Sequence, residues 1–435
     1  MTLLFGTAEF NEKDHLAIGG CDTTELAEKY GTPLFVYDVS QIREKARGFK
    51  RTLDEMGVKN KVVYASKAFS CLAMYQILEQ EQLACDVVSG GELYTALKGG
   101  MNPANIEFHG NNKLKEELEF AIDSKVGMII VDNFYELELL KEITANRTIK
   151  QPIMLRITPG VNAETHDYIL TGQVDSKFGF DVNSGQAEKS LSTALAIDGV
   201  ELKGIHCHIG SQIFSTEGFI VAAEKMLAIL ETYRQSYGYV AEILNMGGGF
   251  GVKYTEGDNP LQPEQFMKAI VESIKGRCAI LEYPLPEIWV EPGRNIVAEA
   301  GTTLYKIGSQ KVIPDVRHYV AVDGGMGDNI RPALYGAEYT GMLANRIAES
   351  NGEAALVGKY CESGDQLIKA INLPEVVAGD VFAMTSTGAY GYSMASNYNR
   401  NPRPAVVFVE NGKDTLVVRR ETYEDLIALD CDLNA

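Results

Sequence analysis

A chain of 435 residues with 45% hydrophobic and 23% charged residues holds enough apolar material for one large domain and a smaller one. Its formal net charge of -19 disfavours nucleic acid and anionic membrane as partners, while a small anion can still be held in a locally basic pocket. No apolar run approaches the ~20 residues of a membrane helix, and seven scattered cysteines without a CxxC pair argue against a zinc ribbon and a disulfide framework. The start, MTLLFGTAEFNEKDH, meets acidic residues at once and has neither a basic n-region nor a cleavage site, so a cytoplasmic location is expected.

In chain order, a strand-like TPLFVYD precedes a regular pattern. Short β-branched runs then recur: Val62 to Tyr64, Ala84 to Val88, Ile106 to Phe108, Gly127 to Val131, Ile153 to Ile157, Gly204 to His208, Glu242 to Asn245 and Glu287 to Val290. Segments of helical period separate them; Ile220, Met226, Leu227, Leu230 and Tyr233 share one face of a helix over 218–237. The first four runs begin about 22 residues apart, the length of one strand, one helix and two loops. Eight such units in about 250 residues predict an α/β fold of the (β/α)8 barrel type; an open doubly wound sheet satisfies the same strand count.

After residue 300 strand follows strand: Thr302 to Ile307, His318 to Val322, Ala354 to Lys359 and Asp380 to Thr385. A hairpin with a type I′ turn at Asn411-Gly412 joins Ala405 to Glu410 with Lys413 to Arg419. The expected organisation is therefore an N-terminal segment (1–35), a barrel (36–300) and an all-β C-terminal domain (301–435) that also takes in the N-terminal segment.

In a (β/α)8 enzyme the chemistry sits at the C-terminal ends of the strands, and the unusual residues of this chain follow its strands. The first strand ends on Lys67, and a lysine is rarely buried without a partner; desolvated, it becomes a neutral amine able to form a Schiff base. The second runs into Asp86 and SGGEL, the third into His109-Gly-Asn-Asn112, the sixth into HCHIGSQ, the seventh into NMGGGFG and the eighth into EPGR. Spacing assigns no role to Asp86 or His109. His206 and His208, two apart on a strand, share a face; they read as metal ligands, as core histidines, or as an imidazole lying flat on a planar ring. No HExxH or acidic cluster completes a zinc set.

Gly247, Gly248, Gly249 and Gly251, with Gly293-Arg294, occupy the two loops where barrels commonly hold phosphate. Glu291 needs a partner, which either a pyridinium nitrogen or Arg294 supplies. A Schiff-base lysine, a phosphate cradle, a carboxylate and a flat histidine together match the parts of pyridoxal 5′-phosphate. The β domain adds RPALY from Arg331 to Tyr335, CESGD from Cys361 to Asp365, and GAYGY from Gly388 to Tyr392. Cys361 reads as a buried thiol or, with Glu362 and Asp365 raising its pKa, as a proton donor.

With YASKAF, CDVVSGGEL, HGNNK, HCHIGSQ, GGGFG, EPGR, RPALY, CESGD and GAYGYSMASNYN in this order, nearly the whole chain resembles the diaminopimelate decarboxylases, fold-type III pyridoxal-phosphate enzymes of the alanine racemase-like barrel family. The resemblance implies that Lys67 is bonded to the cofactor, His208 stacks on its ring and Glu291 binds the pyridine nitrogen. Ser211, the Gly247 to Gly251 loop, Gly293 and Tyr390 would hold the phosphate, and Pro292 and Arg294 would also contact the cofactor. Arg294, Arg331 and Tyr335 would bind substrate carboxylates, with Glu362 and Tyr390 completing the pocket. Cys361 would return a proton to Cα, reaching the site with Glu362 from the other subunit of a homodimer. The implied reaction takes meso-2,6-diaminopimelate to L-lysine and CO2, the last step of lysine biosynthesis.

Overall fold

Eight parallel strands close on themselves: β1 (Asn60–Ala65), β2 (Ala84–Val87), β3 (Ile106–Phe108), β4 (Met128–Val131), β5 (Gln151–Thr158), β6 (Val200–His206), β7 (Ile243–Asn245) and β8 (Glu287–Val290). Val290 of β8 lies opposite Val62 of β1, and this pairing makes the sheet a barrel rather than an open sheet. The computed structural model describes residues 3–161 and 176–433. These fall into two units, Lys45–Gly251 with Pro260–Asn295, and Met1–Glu44 with Val252–Asn259 and Ile296–Ala435.

Local chemistry sets where strand gives way to helix. After β2 the Ser89 hydroxyl accepts from the Glu92 N–H at 3.2 Å while the Glu92 carboxylate accepts from the Val88 N–H at 2.8 Å. After β4, Asn133 and Glu136 repeat the exchange at 3.0 Å each. Such reciprocal caps satisfy amides that a helix start leaves open. The helix Glu217–Tyr237 buries Phe219, Ala222, Ala223, Met226, Leu227, Leu230 and Tyr233, a stripe of helical period, and stops at Gly238 with φ 67°.

Period-two alternation grades the barrel interior from dry to polar. Val63, Ala84, Met128, Ile130, Met154, Ile243 and Trp289 form one apolar cluster. Two residues on, Ala84 is followed by Asp86, Ile243 by Asn245 and Trp289 by Glu291, all buried. Side chains at i and i+2 share a face, so these three strands each carry an apolar residue low in the barrel and a polar one nearer its C-terminal mouth.

The second unit is β-rich. Leu34–Asp38 is central there, antiparallel to Gly301–Ile313 and parallel to Ala405–Glu410. Lys253 also belongs to this unit: its N–H donates to Glu299 at 3.0 Å and its carbonyl accepts from Ser386 at 2.8 Å. The hairpin turns at Asn411 and Gly412, with φ 53° and 73°, as a type I′ turn requires. No helix of the described residues is long and apolar enough to cross a membrane.

Candidate active site

The C-terminal mouth of the barrel gathers most of the expected residues. β1 stops at Ala65, and a single 3-10 turn, Ser66–Ala68, carries Lys67 beyond it. Lys67 is exposed while Ser66 and Ala68 are buried, so its amine stands in the mouth and not in a dry interior. The desolvation expected from the sequence is absent because the strand ends two residues before the lysine. Asp86 pins that turn, its Oδ1 accepting the Ser66 N–H at 3.0 Å. Burial pushes the Asp86 carboxyl up to about 6, with His109 pulling the other way.

His206 and His208 part company. β6 ends at His206, so the shared face expected of one continuous strand does not extend to His208. The His208 Nδ1 accepts from the Gly248 N–H at 3.4 Å, and burial, aided by the nearby Lys67 and Arg156, holds its pKa well below the usual histidine value. His208 is therefore a neutral imidazole at the mouth.

The glycine loop after β7 is pressed against its neighbours. A Cβ on Gly248 would lie 2.1 Å from the Glu291 carbonyl oxygen, and one on Gly249, where φ is 111°, 2.4 Å from that of Gly210. Two of the expected phosphate amides are already engaged: Gly247 donates to Asn245 Oδ1 at 2.9 Å and Gly251 to the Ile213 carbonyl at 2.9 Å. Gly248 is engaged only by the long contact to His208 at 3.4 Å, and with Gly249 and Gly293 it supplies the glycine amides within reach of an anion. Gly293 sits against Ala65, where a Cβ would come within 2.7 Å of the Ala65 side chain, and the Pro292 carbonyl accepts the Ala65 N–H at 3.2 Å. The Arg294 guanidinium donates to the exposed Ser211 hydroxyl at 3.0 Å, placing a cation and a hydroxyl together.

Glu291 follows β8 and lies among donors. Its Oε2 is 3.1 Å from His206 Nε2, and its Oε1 is 3.1 Å from His109 Nε2 and 2.8 Å from Asn245 Nδ2. Burial works against its charge, but the two histidines outweigh it and hold the carboxyl well below its usual range. His206 responds oppositely, burial pushing it down to about 4 despite Glu291. Donor atoms of His109, His206 and Glu291 lie within 4.8 Å of one another, a spacing a metal ion could use. They already face each other at hydrogen-bonding distance, however, and His208, the other half of the metal reading, is turned to Gly248. Glu107 and Asn245 were not anticipated; for Asn245 the available signal was a polar residue two places beyond the apolar Ile243 at a strand end.

The β unit holds the remaining candidates. Arg331 is 8% exposed, donates to the Tyr339 hydroxyl and lies 5.0 Å from the Tyr254 ring centroid, while Tyr335 four residues on is 64% exposed. Cys361 and Glu362 are both exposed, which excludes the buried-thiol reading of Cys361. Asn399 accepts the Cys361 N–H at 2.9 Å, and Tyr360 stacks on Tyr398 with centroids 6.1 Å apart. Asp365 is buried and accepts from Met326 and Tyr360 amides at 2.7 and 2.9 Å, tying the Cys361 loop to the loop before Arg331. Tyr390 is half-buried, with φ 59°.

Known proteins resemble this chain along nearly its whole length. Residues 39–298 match the family model described as pyridoxal-dependent decarboxylase, pyridoxal binding domain. Diaminopimelate decarboxylase of Bacillus methanolicus is 57% identical over 98% of this chain and 99% of its own, and that of Bacillus subtilis is 56% identical over 98% of each. The crystal structure of diaminopimelate decarboxylase from M. jannaschii in co-complex with L-lysine superposes with a TM-score of 0.92 at 36% identity, covering 98% of both chains. The chain belongs to the diaminopimelate decarboxylase family of pyridoxal-dependent decarboxylases.

Proposed function

We propose that the chain decarboxylates meso-2,6-diaminopimelate to L-lysine and CO2 with pyridoxal 5′-phosphate. The observation that carries this reading is the 57% identity, over 98% of the chain, to a diaminopimelate decarboxylase. The mouth also fits the cofactor: an exposed lysine amine, a charged carboxylate framed by imidazoles, and glycines whose side chains would collide with neighbouring backbone leave room and polarity for a flat, phosphorylated ring. When bound, that group supplies a carbonyl carbon for amine attachment and a ring that takes up the electron pair left as CO2 departs.

The protein's own residues do the rest. Lys67 would be the amine that holds the cofactor. His208, neutral, would lie against the ring, and Glu291 would hold a proton at the ring nitrogen. Ser211, Gly248, Gly249, Gly293, Arg294 and Tyr390 would hold the phosphate. Arg331 and Tyr335, with Arg294, would bind carboxylate, for which a guanidinium offers two parallel donors; Glu362 and Tyr390 would complete the substrate pocket. Cys361 returns a proton to Cα. Its exposure supports action outside its own loop, and the reading includes a homodimer in which Cys361 and Glu362 serve the partner's barrel. Free thiols at all seven cysteines support a reducing, cytoplasmic setting.

The test is release of CO2 from meso-diaminopimelate, L-ornithine and L-lysine by purified protein supplied with pyridoxal phosphate. Diaminopimelate should be the fastest by far; faster turnover of ornithine sinks the substrate assignment.

A further inference from the structure

His109 stands between two carboxylates. Its Nε2 lies 3.1 Å from Glu291 Oε1 and 3.7 Å from Glu107 Oε2, and none of the three side chains is more than 7% exposed. Beyond Glu291, on its other oxygen, is His206 at 3.1 Å. Asn245 bridges the row, donating to Glu291 at 2.8 Å and reaching Glu107 at 3.3 Å. The row Glu107, His109, Glu291, His206 thus spans the interior from β3 to β6. The two imidazoles meet edge to face, 5.0 Å between centroids, but only one of them is flanked by carboxylates on both sides.

We propose that His109, backed by Glu107, is a positioning residue that keeps the shared proton on the ring nitrogen of the bound cofactor by holding Glu291 as a carboxylate. The inference rests on the reading above that pyridoxal phosphate occupies the mouth with its ring nitrogen at Glu291. A proton between a pyridine nitrogen and a carboxylate sits on the more basic of the two. A cation 3.1 Å from the carboxylate oxygen makes the carboxylate the weaker base, and the proton stays on nitrogen. The protonated ring is the form able to draw electrons from the substrate.

The charged groups around His109 agree. Glu291 after β8, Glu107 on β3 and Asp86 on β2 are its acidic neighbours; His206 on β6 is neutral, and Asn245 on β7 carries no charge. Burial alone would push His109 down, yet these carboxylates raise it to about 9. Glu107, in turn, is pushed up to about 7 by burial against the pull of His109.

The experiment reads the ring nitrogen itself. Protein is loaded with pyridoxal phosphate labelled with 15N in the ring, and the 15N shift is recorded from pH 6 to 8. The parent should show a protonated nitrogen. His109→Gln keeps a donor towards Glu291 without the charge, so its 15N shift should move towards unprotonated pyridine. A shift that coincides with the parent's overturns the proposal. Glu107→Gln is isosteric and serves where His109→Gln fails to fold: removing one carboxylate should lower the pH at which the His109 imidazole titrates in cofactor-free protein, read by imidazole 15N correlation. The ring 15N shift should then leave the protonated position at a lower pH than in the parent; unchanged titrations of both overturn the proposal. A parent in which borohydride fixes no cofactor to Lys67 would remove the underlying reading, and this inference with it. A parent that carries the cofactor beside variants with an unmoved nitrogen removes the inference alone.

Discussion

Replacing Gly248 by alanine probes how tightly the mouth is assembled. Gly248 does not sit in the left-handed region, so space alone bars a side chain. The new Cβ would lie 2.1 Å from the Glu291 carbonyl oxygen and 3.0 Å from its carbonyl carbon. Relief requires one backbone to move by about 1 Å, and neither is loose: the Glu291 N–H donates to the Gly247 carbonyl at 2.8 Å and the Gly247 N–H to Asn245 at 2.9 Å. Overpacking of this kind costs about 1–3 kcal/mol of stability, and a displacement of about 1 Å at a reacting group costs roughly 100-fold in kcat/KM. Thermal melts, cofactor titration and CO2 release measure the three effects. Gly276→Ala is the control: Gly276 is exposed within the helix Pro263–Leu281, with nothing near its Cβ, so alanine should add about 0.5–1 kcal/mol. A Gly248→Ala enzyme with parental kcat/KM and melting temperature would refute the described contact between the loops after β7 and β8.

Other substitutions separate stability from chemistry. Lys113 and Glu136 form an ion pair at 2.7 Å with side chains 1% and 2% exposed, and Lys113 also donates to the Ile130 and Gly110 carbonyls. Lys113→Met should cost about 3–5 kcal/mol in urea unfolding, because it strands a buried carboxylate; a loss below about 1 kcal/mol would deny the burial. Burial already raises the Glu136 pKa, so the stranded carboxyl takes up a proton more readily when folded and the deficit should shrink as pH falls. Cys361→Ala should leave stability within about 0.5 kcal/mol, since the thiol is exposed, while L-lysine formation falls roughly 100-fold or more; unchanged turnover assigns the proton donor elsewhere. Asp328, whose carboxyl burial pushes up to about 7, accepts from Tyr305 at 2.8 Å and Gly325 at 3.1 Å. With its folded pKa above the unfolded one, its contribution is full below about pH 4 and is lost as pH rises through 7. Asp328→Asn should remove that slope from a stability profile over this range, and an unaltered slope would place the titration on another group.

All eight barrel strands were legible because each contains a short apolar or β-branched stretch that recurs between segments of helical period, although charged residues interrupt some, as Glu107 does in β3 and Glu201 and Lys203 do in β6. The short strand Gly341–Leu343 and the long Gln366–Leu373 were not, since exposed Lys369 and Ala370 break the alternation of the latter. Site residues were legible where chemistry demands a rare residue type at a strand end, as at Glu291 and the glycine loop. The exposure of Lys67 was not, because whether a lysine lies in a core or a mouth depends on where β1 stops, a matter of two residues. Nor did the pattern foretell that Glu291 would be shared by His109, His206 and Asn245, which come from three strands up to 136 residues apart in sequence (245 minus 109). Such a cluster exists only once the barrel closes.

Borohydride reduction of pyridoxal-phosphate-loaded protein, followed by peptide mass mapping, tests the central claim most directly. The pyridoxyl mass should appear on the peptide containing Lys67 and disappear when meso-diaminopimelate saturates the enzyme before reduction. Label on another lysine such as Lys61 or Lys113, or label on Lys67 that saturating diaminopimelate leaves in place, would contradict it.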